Sequence, residues 1–436
     1  MDEAGFDSII TLLLIFFGLV SRTWCINNPE YIVPTERHYG NIVNCILKGE
    51  FFVDSNPPLG CFILSGFGWA NCYHADIEFS KSPYFFNNKV FPTIRFTSAF
   101  FSAFVPVIVY WILRFSKNSC FVSFAGSMMI VFETSFISES RIIGIHGIFL
   151  FFISFSLLLV TFKPQSSSIF VNLGYSVLCG VFFGLSISTK LQALLLFPYY
   201  AVFLYVNHNR YRLYQFITSF IVSVLVLFTV LVLQIAVTPF ESDKKYDIWP
   251  EMQMRLIDRI DYAVGDIDYT NRMNSEPILC SAFKLLCLII KQKPPQTQTS
   301  RWYLFPLGLG SVSIMWQNNT RVFATYANFF NVILGTGSIP FMAISNMNNV
   351  ALLVLYILSL LYLVVLGSAS ASDYSLSLIL SVICFSSCLK KKSYINRAII
   401  SAGLLLSFIG FCIWNSLSYG LPNTNNYFGT LQITNV

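Results

Sequence analysis

The chain has 436 residues, of which 55% are hydrophobic and only 11% charged, with a formal net charge of +6. A soluble domain carries about a quarter charged residues, so this balance excludes a soluble globular enzyme and a disordered chain, and the modest charge gives no reason to expect a nucleic-acid partner. The 11 cysteines are scattered without a pair of CxxC motifs or a matching His pair, so no metal site is expected.

In chain order, the acidic stretch Met1 to Ser8 runs into apolar residues without a small-residue cleavage site, so Ile9 to Trp24 reads as a retained first span. A helix needs about 20 apolar residues, 17 at the least, to cross the hydrocarbon core. Further windows of that kind fall near 92–113, 119–137, 142–161, 169–188, 190–206, 213–237, 323–344, 350–367, 374–389 and 398–414. The expected fold class is therefore an all-α polytopic membrane protein with a bundle of about 11 transmembrane helices. Only Thr189 and Lys190 separate the fifth span from the sixth, and Pro340 interrupts the eighth.

Short cytosolic loops retain Lys and Arg. The connections after spans two, four, six and ten contain Arg114 and Lys117, Lys163, Arg210 and Arg212, and Lys390 to Lys392 with Arg397. The opposite connections offer Arg141 at a span edge and little else, which predicts a cytosolic amino terminus and a lumenal carboxyl terminus. Two long segments then fall on the lumenal side, Cys25 to Phe91 and Thr238 to Val322. Loops of that length inside a compact bundle are usually functional. The expected organisation is a seven-span module over 1–237, containing the first lumenal loop 25–91, then a second lumenal loop over 238–322, then a four-span module with its tail over 323–436. Apolar stretches at Phe283 to Ile290 and Trp302 to Trp316 are too short to span and are expected along the membrane surface. Asn318, in the triplet Asn318-Asn319-Thr320, is a glycosylation candidate on the lumenal side.

Charge at membrane depth or at its rim is costly and marks functional candidates. Arg22, Arg95, Arg141 and Lys190 all fall near the lumenal face. Each alone could snorkel to the headgroups; four on one face favour a bound anion, such as the phosphate of a lipid-linked sugar. Glycosyl transfer also needs a carboxylate to take the acceptor's proton. The first loop offers Glu30, Glu36, Glu50, Asp54, Asp76 and Glu78, most of them explicable as solvated surface charges.

Several ordered motifs select among these. Pro34-Thr35-Glu36-Arg37-His38-Tyr39-Gly40, followed by Phe51-Phe52-Val53-Asp54-Ser55-Asn56-Pro57-Pro58-Leu59-Gly60, resembles the first loop of the protein O-mannosyltransferase family, where an Asp-Glu pair precedes His-Phe-Gly and then Phe-Phe-Asp-Val-His-Pro-Pro-Leu. Arg95-Phe96-Thr97, Glu139-Ser140-Arg141, Ser186 to Lys190 and Ser300 to Leu307 are similar to further family elements. The resemblance implies a GT-C membrane glycosyltransferase of the endoplasmic reticulum. It would move mannose from dolichyl-phosphate mannose to Ser or Thr hydroxyls of secretory proteins, without a separate cofactor and beside a homologous partner chain.

By that resemblance Glu36 is the expected base, supported by Asp54, with His38 and Asn56 in supporting places. Arg22, Arg95, Arg141 and Lys190 are the expected donor-phosphate network. The chain departs from the family pattern at Thr35, which replaces the first acid of the pair, at Asn56, which replaces a His, and at His146, which replaces an Asp. The segment 238–322 is also too short for the β-trefoil MIR domain of eukaryotic members, which is expected to be absent. Two other readings stay open: a non-catalytic subunit of a heterodimer, and another GT-C transferase acting on lipid-linked sugars.

Overall fold

The computed structural model describes residues 3–79, 90–162, 168–206, 212–238, 278–292, 300–307, 311–317, 320–344, 348–366, 368–369, 371–389 and 393–420. Asn318 lies outside them.

Helix α1 (Glu3–Thr23) is followed by two helices of the first long loop, α2 (Pro34–Lys48) and α3 (Leu59–Ala70). The bundle continues with α4 (Val90–Ala103), α5 (Val105–Phe115), α6 (Cys120–Val131), α7 (Thr134–Ser140), α8 (His146–Thr161) and α9 (Ile169–Thr189). A 3-10 turn at Leu191–Leu195 leads into α10 (Leu196–Val206) and α11 (Arg212–Val237). After α12 (Ile278–Lys291) come the short strand β1 (Ser300–Arg301) and the antiparallel hairpin of β2 (Ser311–Gln317) with β3 (Thr320–Tyr326). The chain then forms α13 (Phe329–Ile344), α14 (Asn348–Leu366), β4 (Ser368–Ala369), which pairs with β1, α15 (Ala371–Cys388) and α16 (Tyr394–Tyr419).

The expected spans overlap helices or helix pairs, except that 323–344 begins in strand β3 and is helical only from Phe329; among the described residues five helices meet the length and hydropathy needed for a full crossing. The expected span at 119–137 is not one straight rod: α6 and α7 meet at a 52° bend. Glu133 lies at that break in extended conformation and accepts from the Ser135 amide at 3.4 Å as the N-cap of α7. Its carboxylate also accepts from the Asn328 amide and from Asn331 Nδ2, both at 2.7 Å, which ties the bend to the start of α13. With the Ser135 hydroxyl as a fourth donor at 3.1 Å, the carboxylate is tolerable in an interior where an unsatisfied one would not be.

In lipid the helices gain little from burying Leu against Leu, so close backbone approach matters more. On α9 the pair Gly180 and Gly184 faces Ser219 and Ser223 of α11 at four-residue spacing. A Cβ added at Gly180 would lie 2.7 Å from the Ser219 carbonyl oxygen, and one at Gly184 would lie 2.9 Å from that of Ser223. Gly180→Leu is therefore expected to separate α9 from α11 and lower the thermal midpoint by several degrees in detergent, whereas Gly174→Leu, which meets nothing within 4 Å, leaves it unchanged. Equal midpoints for the two variants would contradict this packing.

Helix α12 packs on α11 through Ala282, Leu285 and Ile289 and leaves Leu279, Phe283 and Ile290 exposed on its other side. Within 302–316 the described residues include the 3-10 turn Trp302–Leu304 and most of strand β2. The connections on the lumenal side of the sequence reading meet at one end of the bundle. Arg141 reaches the ends of α1 and α16, Lys190 reaches the start of α15, and Gln234 of α11 donates to the Phe52 carbonyl at 2.8 Å. At the other end Asp7 near the start of α1 meets Arg114 at the end of α5.

Candidate functional site

Helix α2 starts at Pro34, whose missing N–H is no loss in the first turn. Glu36, three residues past the extended Val33, folds back to accept the Val33 amide at 2.9 Å. The same carboxylate takes Arg95 Nε at 2.7 Å, Arg95 Nη2 at 3.0 Å and the Ile143 amide at 3.0 Å. Both side chains are fully buried. Two donors on each oxygen leave Glu36 no free lone pair in the plane where a hydroxyl would approach. Glu36, expected from sequence as the base, is thus engaged on both oxygens and joins α2, α4 and the start of the 142–161 segment.

The arginines are engaged in a similar way. Arg95 also donates to the carbonyls of Ile26, Asn27, Pro29 and Tyr31, between 2.9 and 3.3 Å. Arg22 donates to the Ile130 and Val131 carbonyls at the end of α6, at 2.9 and 3.3 Å. Arg141 donates to Trp24 and Cys25 beyond α1 and to Ser418 near the end of α16, with its guanidinium 4.5 Å from the centre of the Tyr419 ring. All three side chains are fully buried. Helix carboxyl ends leave carbonyls without partners and carry partial negative charge, which a guanidinium satisfies on both counts. In this structure Arg22 and Arg141 hold helix ends together, and Arg95 ties the 26–31 loop and Glu36 of α2 to α4.

Lys190 differs. It sits where α9 ends, with Nζ 2.6 Å from Asp373 Oδ1 and 3.4 Å from Ser372 Oγ. The pair keeps some exposure, 10% and 19% of the two side chains. Asp373 was not among the sequence candidates, yet it had a signal: it is the lone acidic residue in 323–436. Around this pair lie Glu139 and His146, both within electrostatic reach of Lys190 and Asp373. Gln192 adds a 2.6 Å donation to the Asp373 carbonyl.

The remaining candidates form the other half of the site. His38 Nε2 lies 2.9 Å from Asp54 Oδ1, with the imidazole 28% exposed and the carboxylate 2%. Asp54 Oδ2 is buried and has no hydrogen-bond partner among the described residues. Asn56 reaches only the Ser55 hydroxyl, at 3.4 Å. Tyr39, next to His38 on α2, connects the two halves. Burial and the neighbouring charges of Asp54, Asp373 and Glu139 push its phenol well above the usual tyrosine value, so it stays protonated and able to donate. Thr35 and His38 stand one turn apart on α2 and both keep partial exposure. The position the family fills with an acid therefore faces the accessible side, while Glu36 points inward to Arg95.

A bundle of this topology, with a helical first loop covering a polar cluster at one end, has the fold of the GT-C membrane glycosyltransferases. The structure matches one chain of the Saccharomyces cerevisiae protein O-mannosyltransferase Pmt1-Pmt2 complex bound to the sugar donor, with a TM-score of 0.69 at 13% identity over 96% of this chain and 91% of that one. It also matches the Archaeoglobus fulgidus oligosaccharyltransferase, with a TM-score of 0.55 at 12% identity over 97% of this chain and 57% of that one, and ArnT from Cupriavidus metallidurans, with a TM-score of 0.54 at 11% identity over 92% and 62%.

Residues 12–238 match the family described as dolichyl-phosphate-mannose-protein mannosyltransferase, and the chain belongs to that family. It is 26% identical over 142 residues to dolichyl-phosphate-mannose--protein mannosyltransferase 4 of Schizosaccharomyces pombe, covering 32% of this chain and 18% of that one. It is 29% identical over 142 residues to protein O-mannosyltransferase 1 of Drosophila melanogaster, covering 32% and 16%. The matched stretch thus spans less than a fifth of the length of these relatives.

Proposed function

We propose that this chain transfers mannose from dolichyl-phosphate mannose to Ser or Thr hydroxyls of proteins at the lumenal face of the endoplasmic reticulum membrane. Family membership supports the donor and the reaction, and one observation supports the chemistry: Asp54 keeps a buried oxygen without a partner while His38 holds the other. In this reading Asp54 takes the proton of the acceptor hydroxyl, and the hydroxyl oxygen forms a bond to the anomeric carbon of the mannose. The bond from that carbon to the phosphate oxygen breaks, and its electron pair leaves with the dolichyl phosphate. Lys190, held beside the site by Asp373, opposes the charge developing on that phosphate. The donor is itself the activated sugar, and no separate cofactor enters the scheme.

The topology that goes with this reading has a cytosolic amino terminus and a lumenal carboxyl terminus, with 238–322 a lumenal segment that does not carry a MIR domain. The match to a two-chain complex supports a homologous partner chain. A second reading, a subunit without its own activity, is favoured by Thr35 and by the sequestered Glu36. Transfer of radiolabelled mannose from dolichyl-phosphate mannose to a Ser/Thr-rich peptide, by the chain alone and together with a homologous chain, tests both. Transfer that is lost on Lys190→Ala in this chain supports the enzyme; transfer that survives Lys190→Ala and Asp54→Asn here identifies the partner as the catalyst.

A further inference from the structure

At the end of the bundle opposite the polar cluster, the start of α1, the end of α5, the start of α6 and the start of α16 enclose a cavity of about 600 Å³. Its lining includes Arg114, Lys117 and Arg397 with a single acidic side chain, Asp7, among the described residues. Asp7 is already engaged: Arg114 Nη2 donates to it at 2.9 Å, and the Tyr110 hydroxyl donates to its other oxygen. Lys117 and Arg397 are both exposed, so two positive charges face the cavity with no further acid in its lining among the described residues. The first turn of α6, Ser119 to Phe121, lines the same space and adds the positive end of a helix dipole.

The apolar part of the lining determines the kind of anion. Phe6, Phe115 and Phe121 are 50%, 38% and 45% exposed at the mouth, at the ends of helices read as membrane-crossing. Aromatic side chains concentrate at the headgroup level of a bilayer, where one side of the ring meets acyl chain and the other meets water. A soluble phosphate would need the cations but not the exposed rings; a phospholipid needs both. Helix α1 has 21 residues, about 31 Å at 1.5 Å per residue. The far end of α1, where Arg141 binds the Trp24 carbonyl, lies that distance from Phe6 and Asp7, so the cavity is at the other end of the bundle from the polar cluster.

We propose that this cavity binds the headgroup phosphate of an anionic glycerophospholipid in the leaflet opposite the polar cluster, with Lys117 and Arg397 as the phosphate contacts and the aromatic rim against the acyl chains. Arg114 stays with Asp7 and frames the site. A juxtamembrane base contributes about 1 kcal/mol toward an anionic lipid, so removing two weakens binding about thirtyfold.

The test uses the full chain in nanodiscs of phosphatidylcholine and follows uptake of a fluorescent phosphatidylinositol, comparing wild type with Lys117→Asn/Arg397→Gln. Lys117 has φ of 64°, a left-handed conformation that Asn tolerates better than most residues. The expected result is a loss of roughly thirtyfold in affinity with an unchanged thermal midpoint. In wild type, inorganic phosphate at equal concentration should not displace the lipid, and Arg397→Lys should retain most binding. Three outcomes overturn the proposal: undiminished affinity in the double variant, equal displacement by inorganic phosphate, or equally tight uptake of fluorescent phosphatidylcholine.

Discussion

Replacing Asp54 with asparagine is expected to lower mannosyl transfer by about a hundredfold or more, with the protein still folded and still able to bind donor. A Ser or Thr hydroxyl is a weak nucleophile at neutral pH until a base accepts its proton, and Asn cannot accept one. The substitution preserves shape and keeps an oxygen toward His38, so its effect reports on the proton rather than on packing. His38→Gln should cost less, because a glutamine can still orient the carboxylate. Thr35→Asp places an acid on the partly exposed face of α2 beside His38 and is expected to maintain or raise transfer. If Asp54→Asn matches wild type, Asp54 is not the base; if Thr35→Asp then creates transfer where none existed, the natural chain is a non-catalytic subunit.

Glu36→Ala is expected to act on stability, not selectively on turnover. It leaves the Arg95 guanidinium buried beside an emptied site and removes the acceptor of the Val33 and Ile143 amides. Losing one partner of a buried pair costs about 3–5 kcal/mol, a large part of the stability of an ordinary domain. The expected signs are low yield and a thermal midpoint too low for the assay to be informative. Glu36→Gln retains the acceptor oxygen but forfeits the charge, so it should fall between wild type and Glu36→Ala. Adding Arg95→Met to Glu36→Gln should recover part of the loss by removing the uncompensated charge. A Glu36→Gln protein with normal midpoint, normal donor binding and no transfer would restore Glu36 to the chemistry. The same measurement separates the two readings of Arg22 and Arg141: the structure predicts midpoints that fall together with donor use, since each guanidinium joins helix ends that lie far apart in sequence.

Hydropathy made the bundle legible from sequence, because every spanning helix must satisfy its own backbone and face lipid with about 20 apolar residues. That is a local requirement, readable window by window. The motif around Glu36 and Asp54 was also legible, as a place. The role of each charge was not, because a side chain's function depends on which groups lie within about 3 Å, and those come from distant parts of the chain.

Glu36 and Arg95 are 59 positions apart, Arg141 and the Ser418 carbonyl 277, Lys190 and Asp373 183. In sequence all four bases looked alike, as costly charges near one membrane face. Tertiary structure divided them: Arg22 and Arg141 meet helix-end carbonyls, Arg95 meets Glu36 and loop carbonyls, and all three are sealed from solvent, while Lys190 meets an acid in a partly open cluster. The bend at Glu133 was hidden for a related reason, since a mean over an apolar window does not register a single buried carboxylate whose donors arrive from α13. The sequence by itself determined that this is a polytopic membrane protein with its charges near the two membrane faces, since the cost of placing charge in hydrocarbon applies residue by residue. Only the tertiary structure decided which of those charges are anchors and which remain available for chemistry, because a charge is neutralised by the partners that folding brings to it.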